Sequence, residues 1–303
     1  MKGKKILAFL LAAAMVAGSV QLPAASVEVK AAEETTTEGN ALRLWYDEPA
    51  SQGKNILSAG SGYSDNDGSN TWQQQTLPIG NGDMGANVYG EIVSEHLTFN
   101  EKTLWTGGPS ANRPNYNGGN NVSKGNNGTW LKEIQKQFLA GNSSYASQLC
   151  GSYLVGDSAG YGAYQAWGDI YFDYKNINTN VTNYERDLDL TTATANVKFT
   201  QNGTDYTREF FVNHDDNVLV GRLEADGAAK LNFDVRFTSK QGATPVAEGN
   251  NTIKLCGQVS DNQLKYASYL TVVPENGTVT GSGSKLTVAD ATAVTVYLSA
   301  APL

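Results

Sequence analysis

Histidine and cysteine are nearly missing from this chain, at two each in 303 residues. That scarcity excludes a four-ligand zinc site of the usual kind unless carboxylates fill most positions. It also leaves a Ser-His-Asp triad only His96 and His214 as candidate bases. Positive charge is short too: 22 Lys and Arg stand against 30 Asp and Glu, for a formal net charge of −8. Nucleic-acid phosphate binders concentrate Lys and Arg on one face, so no nucleic-acid partner is expected. No apolar run approaches the roughly 20 residues of a membrane-spanning helix. What the sequence does have is enough apolar material, 40% of residues, to build a real core.

The longest apolar run, Ile6 to Val16, follows Lys2, Lys4 and Lys5 and precedes Ala24, Ala25, Ala31 and Ala32. A positive start, a short apolar middle and small residues at a cleavage region form the layout of a secretory signal. Residues 1–32 are therefore expected to be a signal peptide cleaved between Ala25 and Ala32, and 33–41 a flexible polar leader. A secreted protein with no membrane attachment after cleavage follows. Removing four Lys and one Glu takes the net charge from −8 to −11. In an oxidising compartment Cys150 and Cys256 have two options: a disulfide closing a long loop, or two separately buried thiols.

From Asn183 onward the chain reads as short strands and turns. Val197 and Phe199, then Tyr206, Arg208, Phe210 and Val212, recur at period two around Asn202-Gly203, the favoured centre of a type I′ hairpin. Similar runs at Asn217 to Leu223, Leu231 to Phe237, Thr252 to Leu255, Tyr266 to Val273, Lys285 to Val288 and Ala293 to Leu298 are separated by turn signals such as Asn276-Gly277 and Gly281-Ser282-Gly283. Many short strands at regular spacing predict a sandwich or barrel. One interlude differs. Trp130 to Ala140 sets Leu131, Ile134, Phe138 and Leu139 on one side of a helix ended by Gly141, and a second helix is expected over Ser144 to Leu154.

Three pattern matches fail on context. Gly80-Asn81-Gly82-Asp83-Met84-Gly85 fits the dinucleotide fingerprint, but that motif needs a helix opening on its last Gly, and Ala86 to Ile92 reads as strand with a glycine interruption. Gly156-Asp157-Ser158-Ala159-Gly160 fits a nucleophile elbow, yet Tyr161-Gly162-Ala163-Tyr164 is a poor helix start, so a surface loop is expected. Ser64 to Asn70 resembles a calcium loop without its Gly at the sixth position or a carboxylate at the twelfth. The sequons at Asn121, Asn127 and Asn276 matter only in a host that glycosylates exported proteins.

The densest stretch runs from Leu77 to Pro109. It reads Leu77-Pro78-Ile79-Gly80-Asn81-Gly82-Asp83-Met84-Gly85-Ala86 and then Leu97-Thr98-Phe99-Asn100-Glu101-Lys102-Thr103-Leu104-Trp105-Thr106-Gly107-Gly108-Pro109. Leu44 to Ala50, Tyr164 to Ile170, Tyr184 to Leu190 and Tyr206 to Phe211 follow the same family pattern in order. Together they resemble the N-terminal domain of glycoside hydrolase family 95, best known for α-L-fucosidases. The resemblance covers about Leu42 to Leu303 and departs at Asp83, where the family usually has Arg, and in extra length between Tyr63 and Gln75.

What the resemblance implies is a mainly β fold: a two-sheet β-super-sandwich with a short helical insertion, filling residues 42–303. It implies that catalysis, hydrolysis with inversion, sits in an (α/α)6 barrel missing from this chain, which would partner the sandwich intramolecularly and contact the glycan substrate. The catalytic residues would then lie outside this sequence, and no cofactor or metal is expected. Fucoside and galactoside specificity stay open, because the barrel decides them. Asn81, Asn100, Glu101 and Trp105 are the candidates for a barrel-facing or substrate-entrance role, since they offer amides, a carboxylate and an aromatic face. The competing reading of the same loops is that they hold the sandwich together through turn hydrogen bonds and a buried Trp.

An inverting glycosidase needs two carboxyl groups about 6.5 to 9.5 Å apart, and the sequence ties no pair to a sugar pocket. Asp187 and Asp189 are expected to share a face beside Arg208 as a structural ion pair, and Asp215-Asp216-Asn217 to form a turn. Two other functional classes stay open: an autonomous carbohydrate-binding module stacking sugars on Trp45, Trp72, Trp105 or Trp167, and an unrelated secreted hydrolase with its own site.

Overall fold

The computed structural model describes residues 42–50, 72, 75–118, 128–156 and 160–303. The expected signal peptide and leader, the calcium-like loop, the Ser158 elbow and the sequons Asn121 and Asn127 lie outside the described residues. No helix among the described residues is long and apolar enough to cross a membrane.

Among the described residues, strands form two antiparallel sheets. The larger runs β1 (Arg43–Tyr46), β6 (Thr182–Asp189), β7 (Thr194–Gln201), β8 (Thr204–Asn213), β9 (Val218–Asp226), β16 (Ala293–Pro302), β13 (Lys265–Glu275), β12 (Thr252–Gln258), β11 (Val246–Glu248). The smaller runs β14 (Thr278–Ser282), β15 (Lys285–Ala291), β10 (Leu231–Ser239), β5 (Gly168–Tyr174), β4 (Ser94–Glu101), β3 (Met84–Val88), β2 (Leu77–Gly80). The mainly β class read from period-two patterning is the one observed.

Alternation along each strand explains the core. On the smaller sheet Phe99, Phe172, Phe233 and Phe237 point inward; on the larger, Phe199, Phe210, Leu270 and Val296 meet them, with Phe172 and Phe210 6.3 Å apart between ring centroids. Trp167 is fully buried, and its Nε1–H donates to Ser268 Oγ at 3.1 Å across the sandwich. The β7–β8 hairpin turns on Asn202 (φ 51°) and Gly203 (φ 73°), two consecutive left-handed residues as a type I′ turn requires.

A charged pair, Arg208 and Glu95, is sealed between the sheets. Arg208 Nη1–H donates to Glu95 Oε2 at 2.7 Å and Nη2–H to the Ile92 carbonyl at 2.8 Å, while Glu95 Oε1 accepts from the amides of Gly90 at 2.8 Å and His96 at 3.1 Å. Here the expectation for Arg208 is corrected. Register pairs Asp187 with Asn196, Asn196 with Glu209 and Val197 with Arg208, so Arg208 faces inward and Asp187 outward. Asp187 instead accepts from Arg43 Nη2 at 2.9 Å. The Asp215-Asp216-Asn217 turn is present, with Asn217 at φ 51°.

The helical insertion lies between β4 and β5 as α1 (Thr129–Leu139) and α2 (Ser143–Leu149), the latter continuing as a π-helical turn, Cys150–Leu154. Its own small core is Ile134, Ala146 and Leu149, capped by Trp130 stacked on Tyr153 at 3.7 Å. The apolar side expected for α1 is therefore mostly not a core side: Ile134 is buried, whereas Leu131, Phe138 and Leu139 are exposed, because α1 packs on α2 and its π-helical continuation rather than on a sheet. Cys150 and Cys256 are both free, and Cys256 is exposed on β12, so neither the disulfide nor a pair of buried thiols is observed.

Candidate functional site

Antiparallel pairing brings one set of connections to a common end of the sandwich. These are the β2–β3 and β8–β9 turns, the segment after β4, the segment before β5 and the β12–β13 loop. The C-terminal end of β16 reaches the same end, where Leu303 N–H donates to the Lys265 carbonyl at 2.8 Å. All four candidate residues lie there.

Asn81 opens the β2–β3 turn, where Gly82 at φ 93° supplies a left-handed conformation. Its Oδ1 accepts from the amides of Asp83 at 2.9 Å and Met84 at 2.8 Å. Its Nδ2 donates to the Asn213 carbonyl at 3.0 Å and to Asn217 Oδ1 at 2.8 Å. One amide thus closes its own turn and ties it to the β8–β9 turn of the other sheet. The fingerprint match ends here: its glycines shape a strand-to-strand hairpin rather than a strand-to-helix turn.

Asn100 Nδ2–H donates to the Gln165 carbonyl at 2.8 Å. Glu101 is buried, and its Oε2 accepts from Thr103 N–H at 3.0 Å and Thr103 Oγ1–H at 2.6 Å. Trp105 pairs with Tyr164 in an isolated antiparallel bridge and donates Nε1–H to the Lys102 carbonyl at 2.8 Å. Its ring lies 5.4 Å from that of Tyr164 and is 44% exposed, so an aromatic face is available. Asn81 and Asn100 are spent on tying loops together and Glu101 on its own turn; Trp105 alone of the four presents a free face.

Residues the sequence did not single out fix this loop end. Asp261 takes a two-pronged ion pair from Arg113, at 2.8 and 2.9 Å, and accepts the Gly107 amide at 2.6 Å. The Arg113 hydrogen bond and then the Gly107 N–H hold the Asp261 carboxyl down to about 2. Asn262 donates to the Trp105 and Gly107 carbonyls at 2.9 and 3.1 Å. A Cβ on Gly107 would meet Gly162 Cα at 2.6 Å, so two glycines let these loops touch backbone to backbone. Arg113 and Asp261 stand 148 positions apart, which leaves no local signal to read.

Beside this end, on the outer face of the smaller sheet, lies a groove of about 570 Å³ over β2, β3 and β4. Lys102 and Asp83 form an ion pair at its rim, and Tyr164, 40% exposed, forms one wall. Burial first, and then the nearby Glu101 charge, push the Tyr164 phenol up. The four tryptophans considered as a sugar platform are scattered: Trp45 is exposed on β1 of the other sheet, Trp72 is half-buried along the groove, Trp105 is at the loop end and Trp167 is in the core.

Comparison with known proteins is consistent with this architecture. Residues 44–302 match the family model described as "Glycosyl hydrolase family 65, N-terminal domain". Among relatives, "Alpha-L-fucosidase 2" of Arabidopsis thaliana is 31% identical over 166 residues, covering 54% of this chain and 18% of the relative. "Probable alpha-fucosidase A" of Aspergillus niger is 31% identical over 252 residues, covering 82% of this chain and 28% of the relative. The chain thus spans less than a third of the length of either. Among solved structures, a "Putative kojibiose phosphorylase from human microbiome" aligns over 75% of this chain and 30% of that one at 10% identity with a TM-score of 0.32, too remote to bear on the site. By the match across nearly all of its described residues, the chain belongs to the family of glycosyl hydrolase family 65 N-terminal domains.

Proposed function

We propose that this chain is the N-terminal β-sandwich of an exported α-L-fucosidase-like glycoside hydrolase of family 95, and that its loop end supports a catalytic barrel and borders the substrate entrance. The observation that carries the reading is coverage. The fucosidase relatives align with most of this chain through only 18 to 28% of their own lengths, which leaves the greater part of each outside the sandwich.

The chemistry of the loop end supports a scaffold role. Asp83 is paired with Lys102, Glu101 is held by Thr103 and Asp261 by Arg113. An inverting mechanism needs one carboxylic acid to protonate the leaving group and one carboxylate to activate water about 6.5 to 9.5 Å away. Each of these three groups is engaged elsewhere. Hydrogen bonds from Asn81, Asn100 and Asn262 instead give the loop end a fixed shape against which a second domain can rest.

The test is to express the 303-residue chain and the full reading frame that encodes it, and to measure release of 4-nitrophenol from its α-L-fucopyranoside. The full product should turn over and the 303-residue chain should stay at background. Turnover by the shorter chain would overturn the proposal. N-terminal sequencing of the exported protein should find a start between Ser26 and Glu33.

A further inference from the structure

The groove over β2, β3 and β4 is floored by a small grid that the strand register defines. One row is Gly80, Gly85 and Asn100; the next is Pro78, Asn87 and Thr98. These are outward positions, since Leu77, Ile79, Met84, Ala86, Leu97 and Phe99 alternate with them into the core. Gly85 has no positive φ, and a Cβ built on it would come no closer than 3.4 Å to the Ile79 carbonyl oxygen. Backbone geometry therefore does not require glycine at this position. The missing side chain is what leaves the floor open.

Two polar groups in the second row are neighbours across the β3–β4 register, and both line the groove. Thr98 is 1% exposed, and its Oγ1 has no hydrogen-bond partner among the described residues. The Asn87 side chain likewise makes no hydrogen bond among the described residues, while Asn100 holds Gln165. A buried hydroxyl without a partner is uncommon and calls for a ligand or an ordered water to satisfy it. Since Lys102 and Asp83 neutralise each other at the rim, the groove selects against a charged ligand.

We infer that this groove binds a neutral pyranose of a glycan, its CH face against Gly80, Gly85 and the Tyr164 ring and its hydroxyls on Thr98 and Asn87. The chemistry matches: a flat apolar floor and an aromatic wall suit a sugar's CH face, and a few convergent amide and hydroxyl groups set its orientation. The volume of about 570 Å³ suits one or two rings. Membership among glycosyl hydrolase domains favours a sugar over other neutral polyols. The inference goes beyond the proposed function, and its binding readout can fail while fucoside turnover by the full protein succeeds.

The experiment titrates the 303-residue chain with methyl α-L-fucopyranoside and with methyl β-D-galactopyranoside, by calorimetry and ligand-observed NMR. A ring of this size predicts saturable binding of at least one probe, with Kd on the order of a millimolar. Thr98→Val keeps the shape and removes the hydroxyl; Gly85→Val fills the floor with a residue that suits a strand. Each should weaken binding about ten-fold or more without lowering the thermal midpoint. Absence of saturable binding of both probes up to about 50 times that Kd, or unchanged affinity in both variants, would overturn the inference.

Discussion

Removing either member of the Arg208–Glu95 pair should destabilise the sandwich far more than a surface ion pair could. Both side chains are sealed, at 1% and 0% exposure, so neither charge can fall back on water when its partner is lost. Breaking a buried pair by deleting one side costs about 3 to 5 kcal/mol. The two deletions are not equivalent. In Arg208→Met the Glu95 carboxylate keeps the amides of Gly90, Glu91 and His96, and a guanidinium whose Nε–H has no partner among the described residues is removed, so the lower figure applies. In Glu95→Gln the amide can still accept from those backbone groups, but Arg208 is left as a buried cation over the rings of Tyr174 and Phe199, at 4.6 and 5.1 Å, and the higher figure applies. If the pair acts as a unit, the double variant should cost about 3 to 5 kcal/mol rather than the 6 to 10 of two independent losses. Urea unfolding followed by circular dichroism reads the cycle, and each single variant should lower the midpoint temperature by roughly 6 to 20 °C, at about 2 to 4 °C per kcal/mol for a domain near this size. Single variants costing under about 1 kcal/mol, or a double variant additive within about 0.5 kcal/mol, would refute the reasoning.

Other outcomes follow from the loop end and the outer face. Asn81→Ala should cost about 1 to 3 kcal/mol by leaving two turns uncrosslinked, and Asn213 amide exchange should speed up with it; unchanged exchange would show that the turns hold separately. Gly162→Ala should cost at least about 2 kcal/mol, since φ is +72° and a Cβ would overlap the Thr106 carbonyl; a thermal midpoint equal to the parent's would contradict the backbone contact. Burial raises the Asp234 carboxyl, but the Lys175, Lys285 and Thr287 hydrogen bonds outweigh it and hold it down to about 2 against an ordinary 3.8. Its contribution to stability is therefore fully present above pH 3.8 and lost as pH falls toward 2. Asp234→Asn should flatten the stability curve in that window, and an unchanged slope would exclude the linkage.

How much of this was legible in the sequence depends on whether the signal was local. The β7–β8 hairpin could be read because Asn202-Gly203 states its own turn, and β9, β10, β13 and β16 because inward residues alternate at period two. Strands β11 and β14 escaped notice because they are edge strands with no buried residue, and Gly281 and Ser282, read as turn, pair with Leu286 and Lys285. The exposed face of α1 is not legible in sequence, because amphipathic spacing announces an apolar stripe and not whether anything covers it. Arg208 shares the inward period of Tyr206 and Phe210, but which residues of β6 stand on its side depends on register, and a difference of one position reverses a strand residue's face. Motif resemblance marks Asn81, Asn100, Glu101 and Trp105 as candidates, but the partners of Asn81 and Asn100 stand up to 136 positions away, which spacing cannot supply.

The margins of the two sheets carry a consequence for how copies of this protein meet one another. An unpaired outer strand is a template for a second chain, and the hazard grows with its length and flatness. Here β1 has four residues and β11 three, β2 carries Pro78, which cannot donate a ladder hydrogen bond, and β11 is bound to the β14–β15 turn through Ala247 N–H and the Gly283 carbonyl at 2.8 Å. Long strands such as β13 and β16 lie inside the larger sheet with both neighbours paired, and the margins left to a stranger are the short strands β1 and β11. The sandwich can be crowded, or held at the high concentrations of a titration, with little tendency to lengthen its sheets into a shared fibre.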